Sequence, residues 1–338
     1  MNEFGWAIVG PGRIAHRFAD AVRQIPGARL VAVHGRDTVR AQAFAGRWSD
    51  GNVAAVVVAP DLDAVLRDAR VQAIYIATPH AFHADTVRRC LLAGKPVLCE
   101  KSLTPNAVLT SELISLAQTH GVFLMEALWT RFLPVYAVVG EWLSAQTIGA
   151  IRGLQSSFCF NIPFDPSARH FDPAQAGGSL LDIGIYNLSV TQWAFRASLG
   201  HCPNLDGLDV TGVVGPTGVD HRVAATLRFA GGVVSQFQCG FDGRADNAFR
   251  ILGEHGVIEL SANFWEATTA TLRRHDESPE VAHRPFRING FEGEIEEAMR
   301  CIGRGEIESP ALPHADTLAT VRWMDHMRRE LGVSYPFE

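Results

Sequence analysis

The sequence predicts an α/β domain built on a parallel sheet, followed by a second, α+β domain built on a largely antiparallel one. Three observations predict this. Up to residue 126, short apolar strands alternate with helical patterns, the signature of a parallel sheet covered on both faces. Beyond it, strands follow one another across turn signals such as Ala230-Gly231-Gly232 and Glu254-His255-Gly256, as hairpins do. Between the first strand and the first helix stands a glycine-rich corner, Gly10-Pro11-Gly12-Arg13-Ile14-Ala15. The 338 residues suffice for two ordinary domains and the 47% hydrophobic content for a core in each.

The first strand, Trp6–Val9, runs directly into that corner. Gly10 permits the tight turn, Gly12 lets the backbone approach a pyrophosphate, and Ala15 is small enough for helix to pack on strand. The helix Ile14–Gln24 then turns its N–H groups and positive dipole end toward the phosphates. Pro26-Gly27 leads to a second strand, Leu30–Val33, which completes a strand–helix–strand unit of the length a dinucleotide fingerprint needs. A glycine turn alone is weak support, since any tight corner uses glycine; its context makes this a Rossmann domain. Further strands are expected at Ala54–Val58, Ala73–Ala77, Val97–Cys99 and Val122–Met125. Helices are expected at Thr38–Trp48, Leu62–Asp68, His83–Ala93 and Asn106–His120.

In the second domain the expected strands are Ile151–Phe160, Val210–Val214, Arg222–Phe229, Val233–Cys239 and Val257–Leu260. A helix interrupts them at Leu180–Phe195, and helices at Glu292–Ile302 and His314–Leu331 close the chain. The boundary is drawn between residues 127 and 128. Gln236 and Gln238 alternate with Phe237 and Cys239, as in a strand with one wet face.

Composition excludes several classes. The net charge of -6 gives no reason to expect nucleic acid or an anionic membrane as a partner. No apolar run reaches the length of a bilayer span, and the N-terminus lacks the basic and apolar regions of a signal peptide. A cytoplasmic protein is expected. The six cysteines contain no Cys-x-x-Cys pair and read as small apolar or free thiols. His80 and His83 could share a helical face, but no third ligand stands near, so no metal site is expected.

The end of the second strand bears on the choice of cofactor. An acidic side chain there usually holds a ribose 2′-hydroxyl. This chain reads Val33-His34-Gly35-Arg36-Asp37, with Arg40 one turn on. Gly35 leaves room for a phosphate, and Arg36 offers it paired donors. Alternatively, Arg36 and Arg40 are solvated charges pairing with Asp37, or Asp37 meets the ribose. NADP is favoured over NAD.

Two segments carry the candidate chemistry. Glu100-Lys101 lies just past the carboxyl end of the fifth strand, where nicotinamide and substrate should meet. Glu100 could orient Lys101 or hold a ribose; the plainer reading is a surface pair. In Gly177-Gly178-Ser179-Leu180-Leu181-Asp182-Ile183-Gly184-Ile185-Tyr186, Asp182 and Tyr186 are four apart and share a helical face. Gly184 between them costs about 1 kcal/mol relative to alanine, which is tolerated most easily where something must approach the backbone. The plainer reading makes Asp182 a helix cap and Tyr186 a half-buried aromatic.

With Thr78-Pro79-His80-Ala81-Phe82-His83 added to these segments, the chain resembles, over almost its whole length, the glucose–fructose oxidoreductase/inositol dehydrogenase/rhizopine-catabolism (Gfo/Idh/MocA) family. Within it, Met125-Glu126-Ala127-Leu128-Trp129-Thr130-Arg131-Phe132-Leu133-Pro134 and Asp182 to Tyr186 are most similar to the branch of dimeric dihydrodiol dehydrogenases with NADP-linked xylose dehydrogenase activity. Most of the wider family has histidine in place of Tyr186. The resemblance implies a Rossmann domain and an open-faced antiparallel sheet, through which a homodimer or higher homo-oligomer forms. It implies Lys101 and Tyr186 as the catalytic pair with Asp182 beside them, and Trp129, Asp182 and Tyr186 at the substrate. Cofactor contacts are implied for Gly10, Pro11, Gly12, Arg13, Ile14, Arg36, Arg40, Thr78, Pro79, His80, His83, Glu100, Lys101 and, more loosely, Arg169. Two departures stand out: Ser102 replaces the usual proline, and Gly35 replaces the usual serine, removing one phosphate donor.

These residues permit oxidation of an alcohol. A tyrosine hydroxyl ordinarily titrates at about 10, and a lysine cation beside it favours the phenolate. Tyr186 is then the acid/base and Lys101 its electrostatic partner, or the two roles are exchanged. The expected substrate is a vicinal diol or a small polyhydroxylated molecule, such as a trans-dihydrodiol or an aldose. The alternatives are a sugar reductase of the anhydrofructose type and a dinucleotide-sensing regulator without catalysis.

Overall fold

A computed structural model describes residues 3–49 and 55–338. The first portion runs β1 (Phe4–Val9), α1 (Arg13–Gln24), β2 (Ala28–His34), α2 (Thr38–Trp48), β3 (Val57–Val58), α3 (Leu62–Arg67), β4 (Ala73–Ile76), α4 (His83–Leu92), β5 (Val97–Glu100), α5 (Ala107–His120) and β6 (Leu124–Ala127). Then follow α6 (Pro134–Ser144), β7 (Ile151–Cys159), a π turn at Leu180–Gly184, α7 (Ile185–Leu199), β8 (Leu205–Val214), β9 (Asp220–Phe229), β10 (Val233–Gly240), β11 (Phe249–Gly253), β12 (Gly256–Leu260), β13 (Thr269–Arg274), β14 (Glu280–His283), α8 (Glu292–Gly303) and α9 (His314–Leu331).

The chain forms two compact units: Met1–Trp129 with Arg287–Leu318, and Thr130–Phe286 with Ala319–Glu338. A single cut after residue 127 therefore does not describe them, because α8 and its flanks return to the first unit. Side chains with no local signature hold them there. Asn289 Nδ2 donates to the Arg17 carbonyl and to Asp20 Oδ2, both at 2.9 Å. His314 Nε2 lies 2.8 Å from the Leu124 carbonyl, and the Leu124 N–H reaches the Ile307 carbonyl at 3.0 Å.

In the first unit a six-stranded sheet has the order β3-β2-β1-β4-β5-β6, with every pair parallel. The order reverses between β1 and β4, the switch point beyond whose carboxyl ends ligands bind in such sheets. Covered on both faces, β4, β5 and β6 are buried at every position. Of the expected strand 54–58, Ala54 lies outside the described residues, and Val57–Val58 pair with β2. The strand expected from Val122 begins at Leu124. Gly121, in the left-handed region at φ 62°, ends α5, and the Val122 N–H turns back to the Ala117 carbonyl at 3.0 Å, a Schellman closure.

In the second unit an eight-stranded sheet has the order β14-β13-β12-β11-β7-β10-β9-β8. All pairs are antiparallel except β7 with β10. Along β10, Ser235, Phe237 and Cys239 are buried while Gln236 and Gln238 are exposed, so one face of this strand is wet. The strands β11, β13 and β14 and the helix α6 go beyond the sequence expectations. The signal for α6 was present in Pro134, which occupies its first turn.

Candidate active site

The first unit supplies a phosphate cradle. Gly10 sits at φ +94°, and a Cβ there would lie 2.8 Å from the Ala77 backbone, so only glycine fits the corner. Gly12 caps α1 with extended backbone and no side-chain cap. No heavy atom of the described residues lies within 4 Å of where its Cβ would be. The opening N–H groups of α1 thus have no side-chain cap and stand at the positive end of the helix dipole. Arg13 and Ile14 are exposed there, while Ala15 is buried against the strand. Beyond β4, Thr78 Oγ1 is buried without a hydrogen-bond partner among the described residues, a polar atom that a ligand would satisfy. A bare helix start, open space at Gly12 and an unsatisfied hydroxyl fit a dinucleotide.

Around the second strand the structure corrects one expectation. Gly35 does not leave room for a phosphate: a Cβ there would lie 2.6 Å from Pro11 Cδ, so the proline ring fills that space. Arg36 is exposed, with its guanidinium 4.8 Å from the centre of the Phe82 ring. Asp37 caps α2 by accepting the Arg40 N–H at 3.0 Å, and the Arg40 side chain pairs with it at 4.0 Å.

His83 is a second correction. It is completely buried, with Nδ1 at 2.9 Å from the Ser102 carbonyl and Nε2 at 2.7 Å from that of Thr78. Burial pushes its pKa down, against the pull of those carbonyls. The ring ties the ends of β4 and β5 together and has no nitrogen left for a cofactor. His80 is buried in the short turn that follows Pro79, its ring edge-on to His83 at 5.8 Å. Among the described residues no cluster of three metal-binding side chains occurs. Glu100 is the last residue of β5, buried, and accepts the Tyr75 hydroxyl at 2.5 Å. Lys101 follows it, half-buried, and its peptide bond to Ser102 is cis. Trp129 is buried with the Arg17 guanidinium 4.2 Å over its ring and Phe291 tilted against it at 5.3 Å. Arg17 is in turn held by the Asn289 carbonyl through Nε at 3.0 Å and Nη2 at 2.5 Å.

The second unit supplies the other set of groups. Asp182 lies within the π turn and Tyr186 in the first turn of α7. They are 4% and 7% exposed. The expected single helix from Leu180 thus starts with a wider circuit, a device frequent at functional sites. Gly184 has a packing reason: a Cβ there would lie 2.9 Å from both Cys239 Sγ and Leu180 Cδ1. Asp182 does not cap the helix. Its Oδ1 receives Arg169 Nη1 at 3.2 Å and its Oδ2 stands 3.9 Å from His170 Nε2, so Arg169 is the ion-pair partner of Asp182. Tyr186 packs on Phe158 at 5.5 Å between ring centres, and Phe158 stacks on Trp265 at 3.4 Å. His170, Phe158 and Trp265 were missed in the sequence. His170 was within reach as Arg169's neighbour; nothing local marks Trp265.

Comparison with known proteins agrees with both halves. Residues 4–128 match the oxidoreductase family with an NAD-binding Rossmann fold, GFO/IDH/MocA. Residues 136–259 match the GFO/IDH/MocA C-terminal domain. Trans-1,2-dihydrobenzene-1,2-diol dehydrogenases of Mus musculus and Homo sapiens are each 32% identical to the chain, over 98% of both proteins. Among solved structures, a 3-ketoreductase from Actinomadura kijaniata in complex with NADP and TDP-benzene superposes with a TM-score of 0.81 and 25% identity. The match covers 97% of this chain and 98% of that one. An aldose–aldose oxidoreductase from Caulobacter crescentus shares the fold at a TM-score of 0.85 and 21% identity, with 97% of each chain covered. Matched in both units and along its whole length, the chain belongs to the GFO/IDH/MocA family of oxidoreductases.

Proposed function

We propose that the protein is an NADP-dependent oxidoreductase that moves hydride between nicotinamide and a vicinal diol or sugar. The observation that carries this reading is the full-length likeness to the trans-dihydrodiol dehydrogenases, in a chain that holds Lys101, Asp182 and Tyr186. NADP rather than NAD is supported by exposed Arg36 at the mouth of the cradle, by Asp37 being engaged as a cap, and by the NADP-bound ketoreductase likeness.

When bound, the nicotinamide supplies the carbon that takes or returns hydride. Tyr186 moves the proton of the reacting hydroxyl, and Lys101 donates to the same oxygen and favours the phenolate. Asp182, held by Arg169, orients the pair or binds a second substrate hydroxyl. The opening N–H groups of α1 would hold the pyrophosphate, and Trp129, with the Arg17 guanidinium over its ring, would meet the substrate. We assign oligomer formation to the wet sheet face of the second unit. There Gln155, Thr226, Gln236, Gln238 and Arg250 line a shallow hollow of about 490 Å³, and a homodimer through it is the simplest assembly. Six free cysteines suit a reducing, cytoplasmic setting. No helix among the described residues is long and apolar enough to cross a membrane.

A sugar reductase is the second reading, favoured by the ketoreductase likeness. The test follows NADPH fluorescence in both directions over aldoses, trans-dihydrodiols and dicarbonyls, with Tyr186→Phe beside the wild type. Turnover of a diol or aldose is expected, falling by about a hundredfold or more in Tyr186→Phe while NADP(H) affinity holds. Wild-type turnover in that variant would remove Tyr186 from the chemistry. Tight NADP binding without turnover of any member would make the protein a dinucleotide sensor.

A further inference from the structure

We propose that Asp220 is a positioning residue for the turn that carries Asp182 and Tyr186, an inference that rests on the catalytic role proposed above for those two. Asp220 opens β9 and is completely buried. Its Oδ2 accepts the Ser179 hydroxyl at 2.8 Å and the Leu180 N–H at 2.6 Å, the two residues at which the π turn starts. Its Oδ1 has no hydrogen-bond partner among the described residues and occupies the space into which a Gly178 side chain would grow. The far end of the turn meets the adjoining strand, where Cys239 of β10 presses on Gly184 in register with Val223 of β9. The chain entering the turn is tied as well: the Tyr335 hydroxyl donates to the Gly177 carbonyl at 2.8 Å, with Arg328 4.6 Å over the Tyr335 ring.

The opening N–H groups of a helical segment need partners from outside it. Ser179 stands at the capping position but makes no cap of its own; it gives its hydroxyl to Asp220, and the Asp220 carboxylate takes the backbone N–H. Bonds to a carboxylate are roughly twice as strong as those to a neutral acceptor. Asp182 follows Leu180 by two residues, so slack at this anchor passes directly to the groups that must meet substrate. A misplacement of about 1 Å can lower a rate by about a hundredfold.

Burial raises the Asp220 carboxyl, the bonds from Leu180 and Ser179 pull it back, and it stands at about 6. The groups facing it are Arg328 of α9, which favours its charged form, and Tyr335 and Cys239, which burial first and then its charge push up. Above that pH the carboxylate grips the turn. Below it the neutral acid holds less firmly.

The experiment is the pH profile of kcat for the full-length protein, with a substrate from the screen above, in wild type, Asp220→Asn, Asp220→Ala, Ser179→Ala and Tyr186→Phe. Wild type is expected to lose activity on an acid limb centred near 6. Asp220→Asn, neutral at every pH, should lack that limb and run about tenfold below wild type on the alkaline plateau, with NADP(H) affinity unchanged. Asp220→Ala should fall further. Ser179→Ala removes a bond that holds the carboxyl down, so its acid limb should move to higher pH. A role in stability alone would lower the melting temperature and leave the limb in place. An Asp220→Asn profile that keeps the limb, or a Ser179→Ala limb that stays where it was, overturns the inference. If the Asp220 variants do not fold, Ser179→Ala alone decides. Wild-type turnover in Tyr186→Phe sinks the catalytic reading itself; inactive Tyr186→Phe with an unchanged Asp220→Asn profile sinks only this inference.

Discussion

At the scale of single residues, Gly35 and Arg36 are neighbours under opposite constraints. Gly35 is held to glycine by the Pro11 ring, 2.6 Å from where its Cβ would sit, so the absence of a hydroxyl there follows from packing with the glycine corner. Arg36 is exposed, with its guanidinium over the Phe82 ring at 4.8 Å, and a guanidinium held over a ring can still offer its edge donors to a phosphate. Arg36→Ala should therefore weaken NADP by about tenfold or more, the worth of one charge-assisted contact, and leave NAD nearly untouched. Titration of both cofactors against intrinsic fluorescence measures this. An equal loss for the two would show that Arg36 serves the adenine or the fold rather than the 2′-phosphate.

At the scale of elements, α5 is bounded by signals that lie in its own sequence. Asn106 accepts the Leu109 N–H at 3.0 Å at its start, and Gly121 turns the chain out at its end. Asn106→Ala should lower stability by about 1 kcal/mol, read as a shift in denaturant midpoint with no change in NADP(H) affinity. Elements of this kind were legible: α2 and α9 keep their expected bounds, and the Gly10 corner opens α1 as its glycines required. Lys101 past β5 and the Asp182–Tyr186 segment could also be found from the sequence, because glycines or strand ends mark them. The π turn was hidden, since Asp220 and Cys239 shape it from strands distant along the chain. The same holds for Trp265 stacked on Phe158 and for His83, whose two carbonyl partners turn an apparent ligand into a brace. Local propensity marks where a helix starts; it does not report which distant side chain will take up its N–H groups.

At the scale of the whole molecule, α8 couples the folding of the first unit to pH through three carboxyl groups of opposite sign. Glu297 is held at about 2 by the Arg300 side chain, against burial and with help from Ser309. Glu292 feels burial first, but the N–H groups of Ile288, Asn289 and Gly290 outweigh it and keep it below the usual range. Both have folded values under those of the unfolded chain, so their stabilisation is complete above about pH 4.3 and is lost as pH falls through the folded values. Glu294 works the other way. It is completely buried, neither oxygen has a hydrogen-bond partner among the described residues, and burial, then the charge of Glu100, pushes it well up despite Arg17. The folded chain keeps its proton where the unfolded chain releases it, so this group lowers stability progressively as pH rises past about 4.3. Glu294→Met removes two unsatisfied buried oxygens at similar volume and should raise the denaturant midpoint at neutral pH, with a gain that shrinks as pH approaches about 4. Glu297→Gln should do the reverse, losing stability at neutral pH and converging on the wild type near pH 2. Denaturant titrations across that range measure both differences. A Glu294→Met gain of the same size at every pH would mean that packing, not the buried proton, accounts for it.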